Sequence, residues 1–272
     1  MLTFRYNANT SVPVEVEGLT PSAVRGMTLA EIERFEIFHG NRKIPLAELF
    51  SVSGDPHDAR FEFQGHLAGV HWIGAQMSEG EIHVQGDAGR HVGSEMTGGV
   101  LHVHGNASDW VGGEMKGGLI HVRGNAGHLV GSAYRGSAIG MAGGTILIGG
   151  SAGNEVGLTM RRGLLAVGGT CGDFVGANML AGTVLVFGAC GNRPAANMRR
   201  GTVGLFGGEP PNLLISFRKS CVFRAPFLRL MFRHLRTLEF AVPSECDDAN
   251  YSMYHGDHVS IGRGEILIRE RD

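Results

Sequence analysis

His83, His102 and His121 recur at intervals of nineteen residues, each between two aliphatic residues: Ile82 and Val84, Leu101 and Val103, Ile120 and Val122. On a strand, where side chains alternate between faces, this spacing turns the aliphatics one way and the imidazoles the other. Strands of successive copies then stack the three rings roughly 4.8 Å apart. Imidazole is a common metal ligand, and three on one face could hold zinc. Leu147 and Ala166 end the ladder, and no Asp, Glu or Cys shares its register, so a solvent-exposed or partner-covered stack is the favoured reading.

The second concentration of chemistry is basic. Between Phe217 and Thr237 lie Arg218, Lys219, Arg224, Arg229, Arg233 and Arg236 with no carboxylate, and Arg161, Arg162, Arg199 and Arg200 form two further pairs upstream. Guanidinium groups bind carboxylates through paired hydrogen bonds, so a polyanionic ligand or an acidic partner surface is expected, against the plain alternative of a solvated helix face. Cys171 and Cys190 occupy a position that other copies fill with Ala88, Ala107, Ala126 and Ala152, which points to packing rather than nucleophilic chemistry. Asp87, Asn106 and Asn125 share a corner where turn hydrogen bonding suffices as an explanation. No GxxxxGK[ST] loop occurs, and the GxG spacings do not sit in a strand–helix unit, so the chain alone reads as non-catalytic.

The element that must position these residues is a repeat from Met77 to Gly207. Copies begin at Met77, Met96, Met115, Met141, Met160, Met179 and Met198, each step being nineteen residues except one that carries seven extra, Tyr134 to Gly140. Aliphatic pairs two residues apart, from Ile82 and Val84 to Val203 and Leu205, form two inward ladders. A glycine follows each starting Met by three residues and another by nine, as corners with positive φ or close backbone stacking would require. A second short strand should carry Val92, Val111, Val130, Val156 and Val175 inward. Short strands and glycine corners at constant period predict an all-β fold, a right-handed parallel β-helix, with the seven-residue insertion bulging from one corner. Phe61 to Gln76 reads as a degenerate zeroth copy.

The flanks do not share the period. Residues 1–60 read as a small α/β cap, with a capping box at Thr28 to Glu31 opening a short helix and a strand running into His39-Gly40-Asn41. Residues 61–208 are the repeat domain, and 209–272 a C-terminal cap. In that cap Leu213 to Phe217 reads as a strand and Pro226 to Leu238 as a helix whose apolar stripe is Phe227, Leu230, Met231, His234, Leu235 and Leu238. A final strand falls at about 265–268. A formal charge of −2 gives no global bias toward nucleic acid or acidic membranes. Without a signal peptide or a membrane-spanning run, a cytoplasmic location is expected.

The segment FEIFHGNRKIPLAELFSVSGD at 35–55, the MxxGxIxVxGxAGxxVG copies and the closing YSMYHGDHVSIGRGEILI together resemble the C subunits of formylmethanofuran dehydrogenases and of the related formyltransferase/hydrolase complex. The repeat motif alone is also similar to the β-helical domain of glutamate synthase, and the flanks narrow the choice. The resemblance implies a scaffold holding catalytic partners: an amidohydrolase-like A subunit, a B subunit and a formyltransferase D subunit, with metals on the partners and no cofactor or catalytic residue in this chain. Two reactions follow from it. One is reduction of CO2 to formylmethanofuran with tungsten or molybdenum and iron–sulfur clusters. The other is formyl transfer between tetrahydromethanopterin and a methanofuran-type carrier with release of formate. Arginine outnumbers lysine, which stands only at Lys43, Lys116 and Lys219, and this composition of a GC-rich genome favours the second. A hexapeptide-repeat acyltransferase does not fit a period of nineteen, and a polysaccharide lyase would need clustered carboxylates.

Overall fold

Aliphatic side chains at every second position of a nineteen-residue unit are buried together only if successive units lie in register, and that is the arrangement found. In the computed structural model, which describes residues 1–207 and 211–270, the fold is predominantly β and is built on a 13-stranded mixed sheet. The expected end of the repeat at Gly208 and the first residues of the C-terminal cap, Glu209 and Pro210, lie outside the described residues. The repeat strands, from Glu81–Gln85 to Arg200–Leu205, pair in parallel, with Ile82 opposite Leu101, Ile120 opposite Ile146 and Val184 opposite Val203. Their inward pairs and the seven starting methionines are all buried in one apolar core. Each Val, Leu or Ile so placed contributes about 1.5–3 kcal/mol relative to exposure.

The stack is longer at both ends than the repeat alone suggests. Arg60–Gln64 is the zeroth copy, with Phe61 opposite Ile82 and Phe63 opposite Val84. Beyond it the N-terminal strand Leu2–Tyr6 adds a further parallel rung, Leu2 opposite Phe61 and Phe4 opposite Phe63. The rings of Phe4 and Phe63 stack with centroids 4.9 Å apart and close that end with aromatic bulk. At the other end Arg263–Arg269 pairs in parallel with Arg200–Leu205, placing Ile266 and Ile268 over Val203 and Leu205. Antiparallel strands Phe50–Gly54 and, at the far side, Tyr251–Gly256 and Arg218–Phe223 complete the sheet. Residues 1–60 therefore share the main sheet, and also supply the hairpin Glu36–His39/Arg42–Pro45 and the helix Leu29–Glu33, whose Thr28–Glu31 capping box is formed.

The two glycines of each copy serve different needs. Gly144 has φ +85°, and a Cβ there would lie 2.8 Å from both the Gly118 carbonyl oxygen and the Met115 methyl. Gly124 does not need a positive φ, but its Cβ would fall 2.6 Å from Asn106 Oδ1, in the space that the rung beneath occupies.

Three sequence expectations are corrected. Val92, Val111, Val130, Val156 and Val175 are buried, but they sit in tight turns rather than in a second strand. Each follows a residue at positive φ: His91, Trp110, Leu129, Glu155 and Phe174. The second line of pairing runs instead through Ala88, Ala107 and Ala126, and through Ala152, Cys171 and Cys190. Leu213 to Phe217 is not a strand; the strand begins at Arg218, where antiparallel pairing with Tyr251–Gly256 starts. The helix Pro226–Thr237 buries Leu228, Phe232 and Leu235, while Phe227 and Leu230 face solvent. The expected stripe is thus rotated, because the helix packs on the outer face of the sheet, against Leu147, Ala166, Leu185 and Leu267. The histidine ladder stops where the helix begins to cover the sheet: the outer position is His83, His102 and His121 before it, and Leu147, Ala166 and Leu185 beneath it.

Candidate functional site

Two outer surfaces bear the candidate residues. On the first, the rings of His83 and His102 stack at 5.0 Å between centroids, and those of His102 and His121 lie 6.1 Å apart at 46°. His104, which sequence reasoning passed over, joins them: its Nε2 is 3.2 Å from His83 Nδ1, and His83 Nε2 is 2.8 Å from Glu81 Oε1. His104 lies two residues beyond His102 on the same outer face, a signal that the period-two rule could have supplied. The ladder is not uniformly exposed as expected. His121 is buried, beside the ion pair of Arg123 with Glu239, whose N···O distance is 2.6 Å. Among the described residues no group of three His, Cys, Asp or Glu side chains has an arrangement able to hold a metal ion.

Burial pushes the His121 pKa down to about 4, with the nearby Arg123 and His102 adding to the shift, and it lowers those of His102 and His104 as well. The folded chain therefore carries fewer protons at these sites than the unfolded chain between about pH 6.5 and 4. Their stabilising effect is full above that window and is lost as the pH falls through it. Thermal denaturation is expected to show a midpoint that drops on going from pH 7.5 to 5, and His121→Leu, which copies the residue at 147, should make that drop smaller. Parallel pH profiles for the two proteins would contradict the assignment.

The second surface is basic, and the fold neutralises much of it. Arg236 makes two hydrogen bonds to Asp247, at 3.0 and 2.9 Å, and a third to the Val242 carbonyl. Arg229 pairs with Asp248 at 3.1 Å and Lys219 with Glu270 at 3.4 Å. The segment without carboxylates in sequence thus meets carboxylates brought from residues 247–270, which local composition could not reveal. Such exposed pairs contribute about 0–1 kcal/mol each, but they reduce the charge offered to a ligand. Arg224 lines a cleft of about 570 Å³ together with Glu245, Asp248 and Glu270. Among the described residues, Arg218, Arg233, Arg161, Arg162, Arg199 and Arg200 have no ion-pair partner. All six are exposed, the last four on the corner that follows the starting methionine.

The remaining sequence candidates are structural. Burial pushes the Cys190 thiol up to about 12 and raises that of Cys171 further, which disfavours the thiolate needed for nucleophilic chemistry. The Asp87–Asn106–Asn125 corner works between rungs rather than within a turn. Asp87 Oδ1 accepts from the Asn106 amide, Asn106 Oδ1 from that of Asn125, and Asn125 Oδ1 from that of Ser151, at 2.7–2.8 Å. A second ladder, Asp109, His128, Asn154, Asp173 and Asn192, does the same on another corner. One feature had no counterpart in the sequence reading. Trp72, His91 and Trp110 stack up consecutive rungs, with centroids 4.1 and 5.3 Å apart, and Tyr134 from the insertion leans on them with its hydroxyl 3.2 Å from His91 Nδ1. The spacing of nineteen residues shared by Trp72, His91 and Trp110 was the available signal.

Rungs with glycine corners, an apolar interior and polar side chains on the outer faces define a repeat-built β protein. The GXGXG motif family matches residues 65–210. The chain belongs to the family of formylmethanofuran dehydrogenase C subunits, within the wider GXGXG group. It is similar to a solved chain of the formyltransferase/hydrolase complex FhcABCD from Methylorubrum extorquens, in complex with methylofuran. The identity is 31% and the TM-score 0.90, over 99% of this chain and 100% of that one. It is 40% identical over 79 residues to the C subunit of the molybdenum-containing formylmethanofuran dehydrogenase 1 of Methanothermobacter thermautotrophicus, a match covering 29% of this chain and 20% of the relative. It is 36% identical over 92 residues to the C subunit of the tungsten-containing formylmethanofuran dehydrogenase 2 of Methanococcus maripaludis, covering 34% of each. The matches thus span between a fifth and a third of the length of these curated relatives. No helix among the described residues is long and apolar enough to cross a membrane.

Proposed function

We propose that this chain is the non-catalytic scaffold subunit of a formyltransferase/hydrolase complex, in which a formyl group passes between tetrahydromethanopterin and a methanofuran-type carrier and is released as formate. The observation that carries the reading is the likeness to the Methylorubrum extorquens complex over essentially the whole of both chains. Its partners are then an amidohydrolase-like A subunit, a B subunit and a formyltransferase D subunit, with metals on those partners, in the cytoplasm of a methylotroph. The stacked rungs are read as a right-handed parallel β-helix over 61–208, flanked by caps at 1–60 and 209–272. The parallel register of the repeat strands and the backbone bonds between equivalent residues of successive copies support this. An acidic carrier or partner surface is assigned to the cations. Foremost are Arg161, Arg162, Arg199, Arg200, Arg218, Arg224 and Arg233, which lack an ion-pair partner among the described residues, with Lys219, Arg229 and Arg236 as secondary contributors.

A second reading, the C subunit of a tungsten or molybdenum formylmethanofuran dehydrogenase, is favoured by the curated relatives, which match over only part of their length. Purification of the tagged chain from its native cell separates the two. Recovery of A, B and D subunits, formyl transfer activity and no tungsten, molybdenum or iron–sulfur signal is the expected result. Stoichiometric tungsten or molybdenum with iron–sulfur absorbance would establish the dehydrogenase instead, and formyl transfer by the isolated chain would reject the scaffold role.

A further inference from the structure

At the C-terminal end of the stack two turns place three aliphatic side chains in water. Ile215 is fully exposed, Val259 is 81% exposed and Ile261 54%. The turns are tied together by the His258 amide, which donates to the Ser216 carbonyl at 3.2 Å, and the second turn is held on the last repeat by the Asn197 amide donating to Asp257 Oδ2 at 2.9 Å. The patch is therefore supported by the rungs beneath it and is not a loose tail. Isolated exposed aliphatics are ordinary on a protein surface, but three on adjoining, braced turns are the usual mark of a surface that another molecule covers.

The rim of this patch is cationic in a way that folding alone does not favour. Arg200 and Arg263 stand directly opposite each other on adjacent parallel strands, both exposed, and neither has an ion-pair partner among the described residues. Like charges in that relation repel. Arg218, exposed and also without such a partner, opens the edge strand immediately after the first turn, opposite His255. A carboxylate set between Arg200 and Arg263 would relieve the repulsion and accept paired hydrogen bonds from both. An apolar centre with a charged rim is the anatomy of a protein interface rather than of a site for a small anion.

We propose that this end of the stack is the docking surface for a partner protein that inserts an apolar projection between Ile215, Val259 and Ile261 and sets carboxylates against Arg200, Arg263 and Arg218. The proposal rests on the scaffold reading above, and the partner is one of the other subunits of the complex. It concerns a surface separate from the helix-borne cations and from the histidine ladder.

The test uses the tagged complex purified from the native cell. Ile215→Asp with Val259→Asp, and separately Arg200→Glu with Arg263→Glu, are compared with the wild type at low and at raised salt. All changed side chains are exposed, so the chain should retain its circular dichroism spectrum and its denaturation midpoint. The expected result is at least tenfold lower recovery of one subunit with the others retained. The charge-reversed form should be restored by Asp or Glu to Lys changes on that subunit's contact surface, located by hydrogen-exchange protection. Full recovery of every subunit with both variants would overturn the proposal while leaving the scaffold reading intact. Failure of the wild type to recover any subunit would remove the scaffold reading and this partner together. A shift of the isolated chain from dimer to monomer on introducing the aspartates would show that a second copy occupies the patch, and would also overturn it.

Discussion

Gly144→Val is expected to lower the thermal denaturation midpoint by about 4–24 °C, or to prevent recovery of soluble protein. Gly144 sits at φ +85°, where a β-branched residue is strained by about 1–3 kcal/mol. The added side chain must also displace the Gly118 carbonyl or the buried Met115 methyl, each 2.8 Å from its Cβ, and overpacking of that kind costs about 1–3 kcal/mol more. For a chain of this size 1 kcal/mol corresponds to roughly 2–4 °C. The loss should be far larger than that of Gly136→Val in the insertion, where φ is also positive but no atom lies within 4 Å of the Cβ. Differential scanning calorimetry of the two variants provides the check: equal losses would mean that backbone conformation alone, and not the spacing of the rungs, demands glycine at 144.

The second large effect concerns the outer face. Phe232 is fully buried between Phe187 and Phe206, with ring centroids 5.8 and 5.5 Å away, and Phe232→Ala is expected to cost about 3–5 kcal/mol. Leu230→Ala, at a position 65% exposed, should fall within about 0.5 kcal/mol of the wild type. Limited proteolysis adds a local readout, since releasing the helix bares Leu147, Ala166 and Leu185 and should make residues 224–240 the first point of cleavage. Were Leu230→Ala the more damaging of the two, the helix would pack on the stripe read from sequence and not on the one in the structure.

What was legible in the sequence follows from how local each determinant is. Inward pairs such as Ile120 and Val122, and the corner glycines, repeat every nineteen residues with one seven-residue insertion, so the rungs and the burial of their aliphatics were legible from the period. The helix stripe was misjudged because Pro226–Thr237 has two apolar flanks, and only the aliphatic outer positions 147, 166 and 185, more than forty residues away, select Leu228, Phe232 and Leu235. The basic segment was over-read for a similar reason: Asp247, Asp248 and Glu270 come to it through tertiary structure. The end rungs Leu2–Tyr6 and Arg263–Arg269 were not read as rungs, although a strand was expected at about 265–268 and Gly264 lies opposite Gly201, because neither follows a neighbouring copy at the nineteen-residue step.

Those two end rungs differ in when they become available. Leu2–Tyr6 precedes its neighbours Phe50–Gly54 and Arg60–Gln64 in the chain, so that end of the stack can close as soon as those strands are made. At the other end Thr202 waits for Glu265, its neighbour across the sheet, 63 residues further on. At about 5–20 residues per second that interval is roughly 3 to 13 seconds, during which Arg200–Leu205 is an open strand edge on an otherwise finished column. Such an edge is a template for the same strand of a neighbouring nascent chain. Termination before residue 263 would make the edge permanent, so a chain truncated after Gly262 should be lost to aggregation while retaining nearly all of its own core.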